Sequence, residues 1–260
     1  RCGKCWLEKT LRMGIIQHSL WCVAHPASTV DSMKWSYHIT TIKGTEVRIH
    51  ATFALLLAFV AWQATSVGGT WRDALEAIAL VCTMFVCVLL HEFGHVFAAR
   101  RYGILTPDIT LLPIGGVARL ERMPRKPSEE LFVALCGPLV NVVIAILIAV
   151  GLGLPFSLDP NMQLSKVTEF WLTLMQWNIM MVLFNLVPAF PMDGGRVLRA
   201  LLAMILGDYG KATRAAAVIG QGLAVLVVMA MVVFGSFQPM LMLIAFFVFF
   251  AAGQEAAVVT

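Results

Sequence analysis

Charge is scarce in this sequence. Asp, Glu, Lys and Arg make up 13% of its 260 residues, against 59% hydrophobic residues, where a soluble domain averages roughly 25% charged and about 45–50% apolar. A water-soluble globule of this composition has too little polar surface to cover its apolar side chains. The mean hydropathy of +0.82 widens the gap. Cysteine is sparse as well: Cys2, Cys5, Cys22, Cys82, Cys87 and Cys136 stand at no spacing that suggests a disulfide framework. There is no internal repeat and no low-complexity tract, and composition excludes collagen, a coiled coil and a disordered tail. The net charge of +4 is modest and gives no reason to expect a nucleic-acid partner. What remains is a polytopic membrane protein.

A helix needs roughly 20 residues to cross about 30 Å of hydrocarbon. Six apolar runs approach that length, at about 50–67, 74–99, 131–154, 168–187, 215–235 and 238–253, the last of them short. Val197–Leu206 is too brief to span and reads as a re-entrant or interfacial helix. Lys and Arg sort sharply by loop. Seventeen lie in residues 1–49, 100–130 and 188–214, and only Arg72 and Lys166 lie on the opposite side. The positive-inside rule therefore puts both termini and those loops in the cytoplasm. Two polar stretches mix β-branched residues with glycine, His38–Ile49 and Asp108–Glu121, and read as strands that pair near the cytoplasmic face. The expected fold is all-α and polytopic, with about six transmembrane helices and a small cytoplasm-facing β-strand or hairpin element.

The amino-terminal residues stand apart. Met33 precedes a natural start, MKWSYHITTIKG, so residues 1–33 are taken as an extension that need not be native. Within it, Cys2, Cys5, His18 and Cys22 have zinc-knuckle-like spacing. The plainer interpretation is an upstream translated segment with chance cysteines. The segment lacks the continuous apolar core of a signal peptide.

The informative motif is HEFGH at 91–95. It matches H-E-x-x-H. On a helix His91 and His95 sit about 40° and one turn apart, so both imidazoles can share one zinc ion while Glu92 takes a proton from water. Two His and one Glu inside an apolar span are costly unless they function. A third protein ligand is expected. Glu76 is too far, about 22 Å along the helix from His91. Asp193 stands in NLVPAFPMDGG (185–195) just after the fourth span, where Pro188 and Pro191 break the helix and Gly194-Gly195 lets the backbone turn. The alternative for Asp193 is an ordinary turn residue; beside the zinc motif a ligand is favoured. In GPLVN (137–141), Asn141 is polar at membrane depth. Two roles stay open for it: a hydrogen bond to a substrate carbonyl or oxyanion, or one between helices.

Together these three motifs resemble the site-2 proteases, a family of intramembrane zinc metalloproteases, over roughly residues 34–253. The resemblance implies one catalytic Zn2+ held by His91, His95 and Asp193, Glu92 as catalytic base and Asn141 near the catalytic centre. It implies an intramembrane metalloprotease domain over residues 34–260, cleavage of a transmembrane protein substrate in regulated intramembrane proteolysis, and a prokaryotic cell membrane. It also implies an edge strand that receives the unwound substrate, with DITLLPIGGVARLE (108–121) as the candidate. No PDZ insertion is visible, and the regulatory CBS domain or partner of some relatives is not in this chain; the missing initial Met and the end at Thr260 suggest a fragment. Two rivals remain: a zinc membrane protease whose third ligand is Glu129 or Glu130, both of which read better as interfacial charges, and a non-catalytic protein, either a transporter or a pseudoprotease that binds membrane segments.

Overall fold

Two strands and a tight turn open the described part of the chain. β1 (Ser36–Ile42) and β2 (Thr45–His50) pair antiparallel with Ile42 opposite Thr45. Between them Lys43 and Gly44 both have positive φ, 47° and 83°, the backbone of a two-residue type I′ turn, whose twist suits a hairpin. The chain then passes through α1 (Thr52–Ser66) and α2 (Trp71–Arg100) before returning as β3 (Asp108–Leu112), parallel to β2 with Val47 opposite Ile109. A parallel pair needs a crossover connection, and here two apolar helices supply it. β4 (Gly115–Ala118) folds back antiparallel on β3, giving the sheet order β1-β2-β3-β4. Both stretches expected to form strands join in this one sheet. The computed structural model describes residues 35–113, 115–119, 121–122, 124, 126–153, 165–235 and 237–258. The boundary expected at residue 33 and the set Cys2, Cys5, His18 and Cys22 lie outside the described residues.

The remaining elements are helices: α3 (Pro127–Gly151), α4 (Lys166–Asn185), α5 (Asp193–Leu206), α6 (Tyr209–Val233) and α7 (Pro239–Val258). Their starts follow local chemistry. Thr70 N–H donates to Asp73 Oδ2 at 2.7 Å in a capping box for α2, Pro127 occupies the first turn of α3, and Asp208 Oδ1 accepts from Lys211 N–H at 3.0 Å to cap α6. The helices α2, α3, α4, α6 and α7 are long and apolar enough to cross a membrane, and the chain is an integral membrane protein. The first expected span differs. α1 has 15 residues, about 22 Å at 1.5 Å per residue, which is short of the roughly 30 Å of hydrocarbon. The sheet claims the backbone up to His50, and Gly68 at φ 86° turns it away beyond Ser66. The Val197–Leu206 run forms the latter part of α5, a helix of 14 residues.

The sheet lies against the second half of α2. Val47 and Ile109 pack with Phe93 and Val96, flanked by Leu89 and Ala118. At 100° per residue these α2 positions lie on the side opposite His91 and His95. The sheet therefore covers one face of the HEFGH turn and leaves the two histidines to face α3 and Asp193.

Candidate metal centre

His91, His95 and Asp193 converge from α2 and the first residue of α5. His91 Nε2, His95 Nε2 and Asp193 Oδ2 form a triangle with edges of 3.2 Å. All three residues are buried. The hydrogen bonds behind them define what this triangle is. His95 Nδ1 lies 2.8 Å from the Val133 carbonyl, which can only accept, so Nδ1 carries the proton and Nε2 of the neutral ring carries a lone pair. His91 Nδ1 donates in the same way to Asn141 Oδ1 at 2.9 Å. Two lone pairs and an anionic oxygen thus face one another, an arrangement that calls for a cation among them. Tetrahedral zinc with bonds of about 2.0–2.1 Å sets its ligand atoms roughly 3.3 Å apart. The triangle matches that spacing, and two imidazoles with one carboxylate are a donor set that suits zinc with a position left open.

The supporting groups come mostly from α3. Asn141 is fully buried, and its Nδ2 donates to Asn178 Oδ1 of α4 at 3.0 Å. Asn178 Nδ2 donates in turn to the Leu174 carbonyl at 2.8 Å. Both ends of the Asn141 amide are thereby occupied, and its polarity is set from α4. Gly137 sits against the ligand nitrogens: a Cβ there would collide with His95 Nε2 and lie 2.8 Å from His91 Nε2. Glu92, half-buried, packs under β4, where a Cβ on Gly116 would lie 2.7 Å from its Cγ.

The segment that follows Asp193 works differently from the expectation. Gly194 and Gly195 do not form a free turn; they are the second and third residues of α5. A Cβ on Gly194 would strike the Val187 carbonyl, and one on Gly195 would come within 2.7 Å of Phe190 N. They are glycines because the helix start is pressed onto the loop at 186–190. The carboxylates considered as alternative third ligands lie elsewhere. Glu129 faces Lys126 at 3.9 Å. Glu130, expected as an interfacial charge, is 3% exposed and paired with Arg199. His50 hydrogen-bonds Thr52 at the start of α1. Sequence reasoning passed over Asn178 and Arg199, and weighed Glu130 only as a rival ligand or an interfacial charge. A lone Asn or Arg in an otherwise apolar run was the available signal.

Comparison with known proteins gives the family. The model for peptidase family M50 matches residues 79–157 and 157–229. A zinc metalloprotease of Methanocaldococcus jannaschii is 37% identical over 230 residues, covering 87% of this chain and 62% of that protein. Stage IV sporulation protein FB of Bacillus subtilis is 30% identical over 127 residues, 48% of this chain and 40% of that protein. The chain thus spans less than two thirds of the length of these relatives. Among solved structures, the site-2 protease from Methanocaldococcus jannaschii superposes with a TM-score of 0.58 at 35% identity, covering 85% of this chain and 95% of that one. With the three sequence motifs, the fold and both kinds of relative in agreement, this chain belongs to peptidase family M50, the family of the site-2 proteases.

Proposed function

We propose that this chain is a zinc-dependent intramembrane endopeptidase that cuts transmembrane segments of membrane-protein substrates, as in regulated intramembrane proteolysis. The observation that carries this reading is the meeting of His91, His95 and Asp193 at 3.2 Å, beside Glu92, in a chain with five membrane-length helices. Zinc bound by these three residues would supply a water acidic enough to ionise near pH 7 and a Lewis acid for the scissile carbonyl. Glu92 takes a proton from the attacking water on its carboxylate and returns it to the leaving amine. Asn141 holds the His91 ring by its Nδ1 proton, and the Val133 carbonyl does the same for His95, so both Nε2 atoms stay aimed at the centre.

The substrate is a transmembrane segment, whose peptide bonds are hidden in helical hydrogen bonds until it unwinds. Gly or Pro in the segment eases that step. The unwound stretch adds to β4 by strand addition. Among the described residues β4 has no strand on its other side, and the closeness of Glu92 to Gly116 supports a path for the peptide past the base. The distribution of Lys and Arg supports a site that opens to the cytoplasm, with both termini on that side: α1 carries the chain from the sheet beside the HEFGH turn to the start of α2, and so adds a sixth passage to the five longer helices. The membrane in this proposal is a prokaryotic cell membrane. Residues 34–260 form the protease domain in this proposal, and a CBS-type regulatory domain or partner would act on it from the cytoplasm.

Co-expression with single-span candidate substrates tests the proposal. Glu92→Gln should retain zinc and cleave about 10²- to 10⁴-fold more slowly, the usual contribution of a general base. Cleavage at the native rate by Glu92→Gln would overturn the assignment.

A further inference from the structure

A full guanidinium lies buried between α3, α5 and α7. Arg199 is 1% exposed and Glu130 3%. Arg199 Nε donates to Glu130 Oε1 at 2.9 Å, and Nη1 donates to Glu255 Oε1 of α7 at 2.7 Å. Its guanidinium carbon sits 5.1 Å from the centre of the Phe190 ring and 5.0 Å from that of Tyr209. Among the described residues, Glu130 Oε2 is buried with no hydrogen-bond partner.

We infer that Arg199 and Glu130 are positioning residues that hold Asp193 in register with the two histidines. The inference rests on Asp193 being the third ligand of the metal proposed above. Its basis is which helices the pair connects. α3 orients both imidazoles, through the Val133 carbonyl for His95 and through Asn141 for His91. Glu130 is on the same helix, one turn before Val133. Arg199 is on α5, whose first residue is Asp193. Among the described residues, Arg199–Glu130 is the only salt bridge between α5 and α3. The guanidinium also stacks near Phe190, in the loop that leads into Asp193, so it holds the chain on both sides of the ligand. The pair thus references the third ligand to the helix that already references the other two.

Folding stability alone does not account for this arrangement. A buried ion pair can often be replaced by apolar residues of similar volume with no loss of stability, because desolvation offsets the attraction. An unpaired buried carboxylate oxygen adds to that penalty. What a charged pair supplies and an apolar pair does not is direction: the planar guanidinium fork donates only along set lines.

The test compares zinc binding by the purified full chain and three variants. Asp193→Ala is the control for the ligand reading. Glu130→Leu/Arg199→Met removes both charges together, and Glu130→Gln removes the charge with little change of shape. Zinc affinity is measured by competition with a chromogenic chelator, folding by far-ultraviolet circular dichroism, and ligand geometry by the visible spectrum of the cobalt-loaded protein. The double variant is expected to fold, to bind zinc at least tenfold more weakly, and to shift its cobalt spectrum towards that of Asp193→Ala. Where the double variant does not fold, Glu130→Gln carries the same expectation of at least tenfold. Parental zinc affinity in a folded Glu130 variant, while Asp193→Ala loses zinc, overturns the inference and leaves the metal centre standing. Parental affinity in Asp193→Ala overturns the ligand reading itself.

Discussion

A neutral imidazole offers a metal one lone pair, so each ligand histidine needs its other nitrogen occupied. Here Asn141 occupies one and the Val133 carbonyl the other, and Gly137 contributes by having no side chain. A methyl group at 137 would land on His95 Nε2 and within 2.8 Å of His91 Nε2, in the space the triangle leaves for a cation. Gly137→Ala is therefore expected to cut zinc content from one ion per chain to near none. Helix content should hold, since Ala is the better helix former by about 1 kcal/mol. Zinc by atomic absorption beside circular dichroism decides it, and full occupancy in a folded Gly137→Ala protein would refute the placement. The residues that sequence reasoning could name are those whose geometry is local. His91 and His95 face one way because the helix repeat makes them do so, and Asp193 stood out because acids near apolar spans are few. Asn178 was not legible, because an Asn in a span calls for a polar partner without saying which. The pairing of Arg199 with Glu130 was not legible either: 69 residues separate them, and each alone looks like an interfacial charge.

At the level of elements, β4 is the piece whose backbone has work left to do. Arg119 N–H donates to the Asp108 carbonyl at 3.1 Å, and the β3–β4 register runs without a shift from Ile109 opposite Ala118 to Leu112 opposite Gly115. In an antiparallel ladder alternate residues turn their N–H and C=O to opposite sides. With Arg119 facing β3, Ala118 and Gly116 face the free edge. If substrate adds there as proposed, Ala118→Pro removes an outward N–H while sparing the ladder to β3. Cleavage should fall at least tenfold at unchanged zinc content, as read by a substrate-cleavage assay on zinc-quantified protein; unchanged cleavage would argue against strand addition at this edge. The strands themselves were visible as alternating β-branched stretches. Their parallel pairing was not, because it depends on α1 and α2 bringing the chain back to β2. The glycines at 194 and 195 show the same limit. Sequence suggests a loose turn, whereas the fold uses them to press a helix start against the loop at 186–190.

Across the whole molecule the site depends on two long helices ending on one side. Lys166, the first residue of α4, pairs with Asp73 at 3.3 Å and Glu76 at 3.5 Å near the start of α2. The stretch of α2 from Asp73 to His91 is nearly as long as α4 from Lys166 to Asn185, so HEFGH, short of the end of α2, meets the loop that follows α4. These exposed pairs contribute little energy, and the side on which the helices start is legible in hydropathy alone. The proposed orientation rests on charge: the loops at the site's end carry nearly all of the Lys and Arg, and the other end has Arg72 and Lys166. Under the proposed orientation, water and the catalytic proton exchange with the cytoplasm. Single cysteines in a background without the native ones test this. Cysteine at Arg101 or Lys126 should resist a membrane-impermeant maleimide on intact cells and react once the membrane is opened. Cysteine at Val67 or Phe237, exposed residues at the opposite ends of the helices, should react on intact cells. The reverse pattern would turn the site to the other face of the membrane, and the proposed access of water from the cytoplasm would fail with it.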